Sequence, residues 1–168
     1  LSDLYTRRGR WADAEAAGRR SLELFEREFG PEHPRTAMTL NNLGTVLATA
    51  QREREALPYF ERSVAIYEKT LGPDRYDVAW PLHGLAVAVF VTGDPVRAEA
   101  LFRRSLALTE KALAPGHVET APSHTWLGRC LLAQGRHGEA IAALEQARAA
   151  WGDKDLAPVR VGEGRFLL

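Results

Sequence analysis

A single cysteine in 168 residues, Cys130, leaves no partner for an internal disulfide and excludes a cysteine-rich metal site. Neither sign of charge dominates: 22 basic residues face 22 acidic ones, and the formal net charge is zero. That balance speaks against a nucleic-acid or anionic-membrane surface, which needs clustered positive charge. No apolar run approaches the roughly 20 residues that span a bilayer, and no signal-peptide pattern opens the chain. Phosphate-cradling glycine loops are missing too, since Gly162-x-Gly164 lacks a third glycine and a preceding strand. There is no His-Glu-x-x-His, and the five histidines do not cluster at ligand spacing. These absences leave no catalytic constellation, no cofactor and no metal among the expectations. They favour a soluble, cytoplasmic protein. The richness in alanine and arginine is compatible with a bacterial source.

What the chain does contain is an internal repeat. Leu1, Leu43, Leu85 and Leu127 stand at successive intervals of 42. Ala14, Ala56, Ala98 and Ala140 line up at that interval, as do Ser21, Ser63 and Ser105, and Phe60 with Phe102. Gly30-Pro31 lines up with Gly72-Pro73, and Pro115 joins the proline column. Self-similarity at one fixed stride is the signature of a solenoid.

Within a unit the apolar residues follow helical spacing. Leu40, Leu43, Val46 and Leu47 make one stripe, and Ala56, Tyr59, Phe60, Val64, Tyr67 and Leu71 make the next. Stop-and-restart signals separate them at Gly9-Arg10, Gly93-Asp94-Pro95 and Gly135-Arg136. Each unit is therefore expected to be a helical hairpin that buries its apolar face against the next one. Expected helices run from Trp11 to Phe29, Pro34 to Thr49, Glu53 to Leu71, Asp77 to Thr92, Pro95 to Leu113, Val118 to Gln134 and His137 to Ala150. Leu1–Arg8 reads as the end of a helix whose first turns precede the chain. Pro58, Pro81 and Pro122 are expected in first turns, because a proline costs about 3 kcal/mol in a helix interior.

After Trp151, Gly164-Arg-Phe-Leu-Leu matches Gly128-Arg-Cys-Leu-Leu, so a shortened fifth unit is expected. The expected division is one domain over 1–168, with units 1–30, 34–72, 76–114, 118–151 and 156–168. An apolar end at Phe166-Leu167-Leu168 means either that the natural chain continues or that this edge meets another chain.

The segment LNNLG…EALPYFERSVAIYEKTLGP resembles the tetratricopeptide repeat (TPR), and more closely its 42-residue kinesin-light-chain variety. The resemblance covers about Leu1 to Trp151. It implies an all-α fold, a right-handed α-solenoid of antiparallel helix hairpins. It also implies a non-catalytic scaffold that binds a peptide or protein segment in a concave groove lined by the first helix of each hairpin. Groove candidates by this resemblance are Asn41, Asn42 and Thr45, then Trp80, His83, Val87 and Phe90, then Thr125 and Arg129. Met38, Thr49, Val91, Leu132, Asp3, Thr6 and Arg7 flank them.

Chemistry supports parts of this assignment. Asparagine amides both donate to and accept from an extended backbone, and an arginine forks onto carboxylates. Trp80, Val87 and Phe90 either form an apolar pocket for an anchor or pack against the adjacent repeat. Asn42 either contacts ligand or bridges helices. The carboxylate clamp of chaperone-binding relatives needs basic residues where this chain has Trp80 and Gly84, which argues against that function. Similar bacterial arrays are attached to serine/threonine kinases, so a regulatory region of a larger signalling protein is the alternative. Self-association through apolar ends is a third reading.

Overall fold

The computed structural model describes residues 2–152, with side chains from Arg10 onward. The expected unit at 156–168 lies outside the described residues, as do the side chains of Asp3, Thr6 and Arg7. Among the described residues there are seven α-helices and no strand. They are α1 (Ser2–Phe29), α2 (Pro34–Thr49), α3 (Glu53–Leu71), α4 (Ala79–Val91), α5 (Pro95–Leu113), α6 (Ala121–Ala133) and α7 (His137–Trp151). Each helix packs on its sequence neighbours, and α2 also touches α4, which touches α6. Such nearest-neighbour packing is an α-solenoid.

Residue chemistry sets the helix ends. Asp94 N-caps α5 through its Oδ1, which accepts from the Arg97 backbone N–H at 2.9 Å, with Pro95 at the entry. His33 caps α2 the same way, its Nδ1 accepting from the Arg35 N–H at 3.1 Å while its ring stacks on Phe29. The fourth hairpin opens likewise, with His117 Nδ1 accepting from Glu119 N–H at 3.3 Å. Single 3-10 turns, Tyr76–Val78 and Val118–Thr120, precede α4 and α6. They shorten both helices relative to expectation and leave Pro81 and Pro122 in first turns. Pro58 instead stands one turn inside α3.

The expected stop at Gly9-Arg10 does not occur, because α1 runs straight through it. Carrying a glycine inside the helix costs only about 1 kcal/mol.

Packing repeats with the sequence. Ser63 Oγ donates to Ala37 O at 2.7 Å and Ser105 Oγ to Ala79 O at 2.9 Å, both buried, so this serine column bonds α3 to α2 and α5 to α4. Phe60, 1% exposed, wedges between helices. A Cβ added at Gly84 would lie 2.5 Å from Phe60 Cε1, and one at Gly44 would lie 2.9 Å away. Cys130 is fully buried beside this core, and burial pushes its thiol up to about 11.

One glutamate–arginine pair recurs at alternate seams of the stack. Glu15 pairs with Arg52, and Glu99 with Arg136 at 2.7 Å, each pair 37 residues apart. At the intervening seam the same two columns hold Leu57 and Asp94. The sequence thus changes both partners together.

Ala114 breaks the pattern of its column. Its counterparts Gly30 and Gly72 have φ of 96° and 98°, and Ala114 itself is held at φ 72° and ψ 156°. That region is essentially glycine's, and a side chain there costs about 1–3 kcal/mol. Ala114→Gly should therefore raise stability by about 1 kcal/mol after the added unfolded-state entropy is subtracted. Urea denaturation measures this, and a destabilised variant would contradict the strain.

Candidate functional site

The first helices α2, α4 and α6 share one face, and the repeat arranges its side chains in rows. Met38, Trp80 and Pro122 form one row, Asn41, His83 and Thr125 the next, and Thr45, Val87 and Arg129 the third. Four large apolar side chains stand open on these three helices: Met38, Trp80, Val91 and Leu132, with Trp80 at 59% exposure. Asn42 and Thr45 are exposed and Asn41 half-buried, so the amides of α2 are accessible. Thr45 and Thr125 turn their hydroxyls back onto the carbonyls of Asn41 and Ala121, both at 2.9 Å. Their donors are therefore engaged within their own helices.

The aromatic candidates separate. Val87 and Phe90 pack against the core, and Phe90 meets Trp126 edge-on with centroids 5.6 Å apart. Trp126 also stacks on Phe102 at 6.2 Å. Arg129 lies over this cluster, its guanidinium 4.1 Å from the Trp126 ring centroid and 5.4 Å from that of Phe90. Trp126 was not among the sequence candidates. Its column reads Asn42, Gly84, Trp126, and that change in size was the available signal.

His83 is half-buried at the seam between the third and fourth hairpins. Its Nδ1 lies 2.8 Å from Ser123 Oγ, and its ring meets Phe102 edge-on. Burial pushes its pKa down to about 4, so the imidazole is neutral at pH 7. His124 occupies the core column of Leu40 and Leu82, with Nε2 3.6 Å from Glu110 and Nδ1 unpartnered. Burial lowers its pKa as well, against the pull of Glu110. Among the described residues no group of three His, Cys, Asp or Glu side chains is placed to hold a metal ion. None of the described helices is long and apolar enough to cross a membrane.

Solved structures share this architecture. BtubC (BKLC) from P. vanneervenii superposes with a TM-score of 0.75 at 23% identity, covering 100% of this chain and 67% of that one. A putative kinesin light chain of Podosopora anserina, with nearly identical TPR-like repeats, gives 0.74 at 26% identity, covering 88% of this chain and 70% of that one. MamA gives 0.54 at 23% identity over 80% of this chain and 67% of that one. No curated protein matches the chain. A sequence model of the tetratricopeptide repeat matches residues 1–69 and 77–152. Its two matches cover nearly all the described helices, and repeats of this kind generally mediate protein–protein interaction. The chain belongs to the tetratricopeptide repeat family.

Proposed function

We propose that the face built by α2, α4 and α6 binds an extended peptide or protein segment, and that the chain acts as a non-catalytic scaffold. One observation carries the reading: Met38, Trp80, Val91 and Leu132 remain solvent-exposed on the first helices, beside the accessible amides of Asn41 and Asn42. Exposed apolar groups rimmed by polar ones mark interaction surfaces. Along α2 the amides would bond the ligand backbone. Next to them, His83, Val87 and Phe90 would form the floor, and Trp80 would supply an aromatic contact. Thr45 and Thr125 would shape the polar margin, and Arg129, stacked on Trp126, would place a positive charge there.

Displayed peptides selected on the immobilised chain give a ligand that can be titrated. The double variant Asn41→Ala, Arg129→Gln should weaken such a peptide about tenfold or more, the effect of losing two polar contacts. Helicity should stay unchanged, and melting should move only by the roughly 0.5–1 kcal/mol of an exposed cation–π contact. Unchanged affinity would place the ligand elsewhere, and parallel loss of fold would make these residues packing elements.

A further inference from the structure

One column of the repeat holds an aromatic ring in three of its four positions. Phe25, Tyr67, Thr109 and Trp151 stand at successive intervals of 42, and only the third is small. Tyr67 lies half-buried against both core clusters, at the seam of the second and third hairpins. Its phenol is raised in pKa by burial and then by the nearby Asp77 carboxylate. The counterpart of Asp77 one repeat later is Glu119.

At that next seam the ring is missing. Thr109 turns its hydroxyl onto Ser105 O at 2.9 Å and fills little space. A pocket of about 160 Å³ opens there, with Ala79, Trp80, His83, Thr109, Glu119 and Pro122 among its walls. An apolar cavity of about 150 Å³ is enough to hold a benzene ring. Exposed Trp80, Glu119 and Pro122 place its mouth at the surface, on the first-helix side.

The polar groups of the pocket select among rings. His83 is already engaged by Ser123 and is neutral at pH 7, so Glu119 is the lining side chain that carries charge. Its carboxylate accepts from the Tyr76 hydroxyl and retains further lone pairs. A phenylalanine or leucine would bring no donor to it. A lysine would have to desolvate its ammonium among apolar walls. A phenol matches both parts, and the chain itself sets one beside the corresponding acid at the preceding seam.

We propose that this pocket seats a tyrosine side chain of the bound segment, its ring in the space that Thr109 leaves and its hydroxyl donated to Glu119. The inference rests on the peptide-binding reading above.

The test titrates p-cresol, the tyrosine side chain alone, against the intact chain and follows the Trp80 indole N–H by NMR, assigned with Trp80→Phe. A saturable shift is expected. Thr109→Tyr, which restores the missing ring, should abolish it, and Thr109→Leu serves if that variant does not fold. Glu119→Gln should weaken p-cresol about five- to tenfold, the loss of one charge-assisted bond, and leave toluene unchanged. A shift that survives both Thr109 substitutions overturns the proposal, as does toluene or n-butylguanidinium binding as tightly as p-cresol. A selected groove peptide held equally by wild type and Thr109→Tyr would sink the tyrosine seat and leave the groove standing. Absence of any groove peptide would sink the groove, while the p-cresol titration still decides whether the pocket takes a phenol.

Discussion

Phe60→Ala is expected to lower stability by about 3–5 kcal/mol, the range for emptying a fully buried phenylalanine site. The ring is 1% exposed and touches α2 and α4 at their glycines, so its loss opens a void shared by two hairpins. Stability in a solenoid is close to a sum of unit terms and nearest-neighbour seams. Weakening one central seam should therefore broaden the urea transition or split it, with the third and fourth hairpins melting apart from the first two. The wedge also predicts a sign change in a double-mutant cycle. Gly84→Ala sets a methyl 2.5 Å from Phe60 Cε1 and should cost about 1–3 kcal/mol in the wild type. In the Phe60→Ala background the same methyl enters the void and should be neutral or stabilising. Additive costs would show that the ring moves aside freely.

Much of this architecture is legible as a 42-residue stride. Columns of Leu43, Ala56, Ser63 and Phe60 place helices and their buried faces, because one helix turn and one neighbour contact recur at each step. At Gly9 the helix continues because a glycine inside a helix costs only about 1 kcal/mol, too little by itself to end one. Proline positions were nearly right, and the 3-10 turns before α4 and α6 go with Pro81 and Pro122, which have no N–H to offer the carbonyl four residues back. On the face of α2, α4 and α6 the stride predicts which residues share a row. It does not resolve which aromatics remain open, because Phe90 and Trp80 are alike in type and differ in what the next repeat brings beside them. Trp126 covers Phe90, whereas Thr109 leaves the space beside Trp80 empty. Both facts were present as irregular members of columns.

Glu99→Ala should cost about 2–3 kcal/mol. Glu99 is 8% exposed and accepts from Gln134 at 2.7 Å, Arg136 at 2.7 Å and Arg103 at 2.9 Å, so its removal leaves three donors short of an acceptor. Breaking a fully buried charge pair costs about 3–5 kcal/mol, and the value here is smaller because both arginines stay half in water. The middle seam supplies its own control, since it does without the pair. Transplanting Leu57, Glu61, Asp94 and Arg97 as Glu99→Leu, Arg103→Glu, Arg136→Asp and Glu139→Arg carries the Glu61–Arg97 pair across as well and should recover most of the loss, as apolar replacements of paired charges do.

The pH dependence separates two contributions. Burial raises the Glu99 pKa, but the bonds from Gln134, Arg103 and Arg136 outweigh it, and the folded value lies below the ordinary 4.5. Its contribution is complete above pH 4.5 and disappears as pH falls through the folded value. His83 acts earlier and in the same direction: with a folded pKa near 4 against an ordinary 6.5, the unfolded chain takes the proton first. Stability should therefore begin to fall below about pH 6.5, well before the carboxylates titrate. His83→Asn should shrink the upper part of that loss, leaving the share of His124, and Glu99→Leu in the transplanted seam should shrink the lower part. A melting temperature flat from pH 6.5 to 5 would mean that His83 charges without leaving its seat, and the seam at Ser123 would then be open to water.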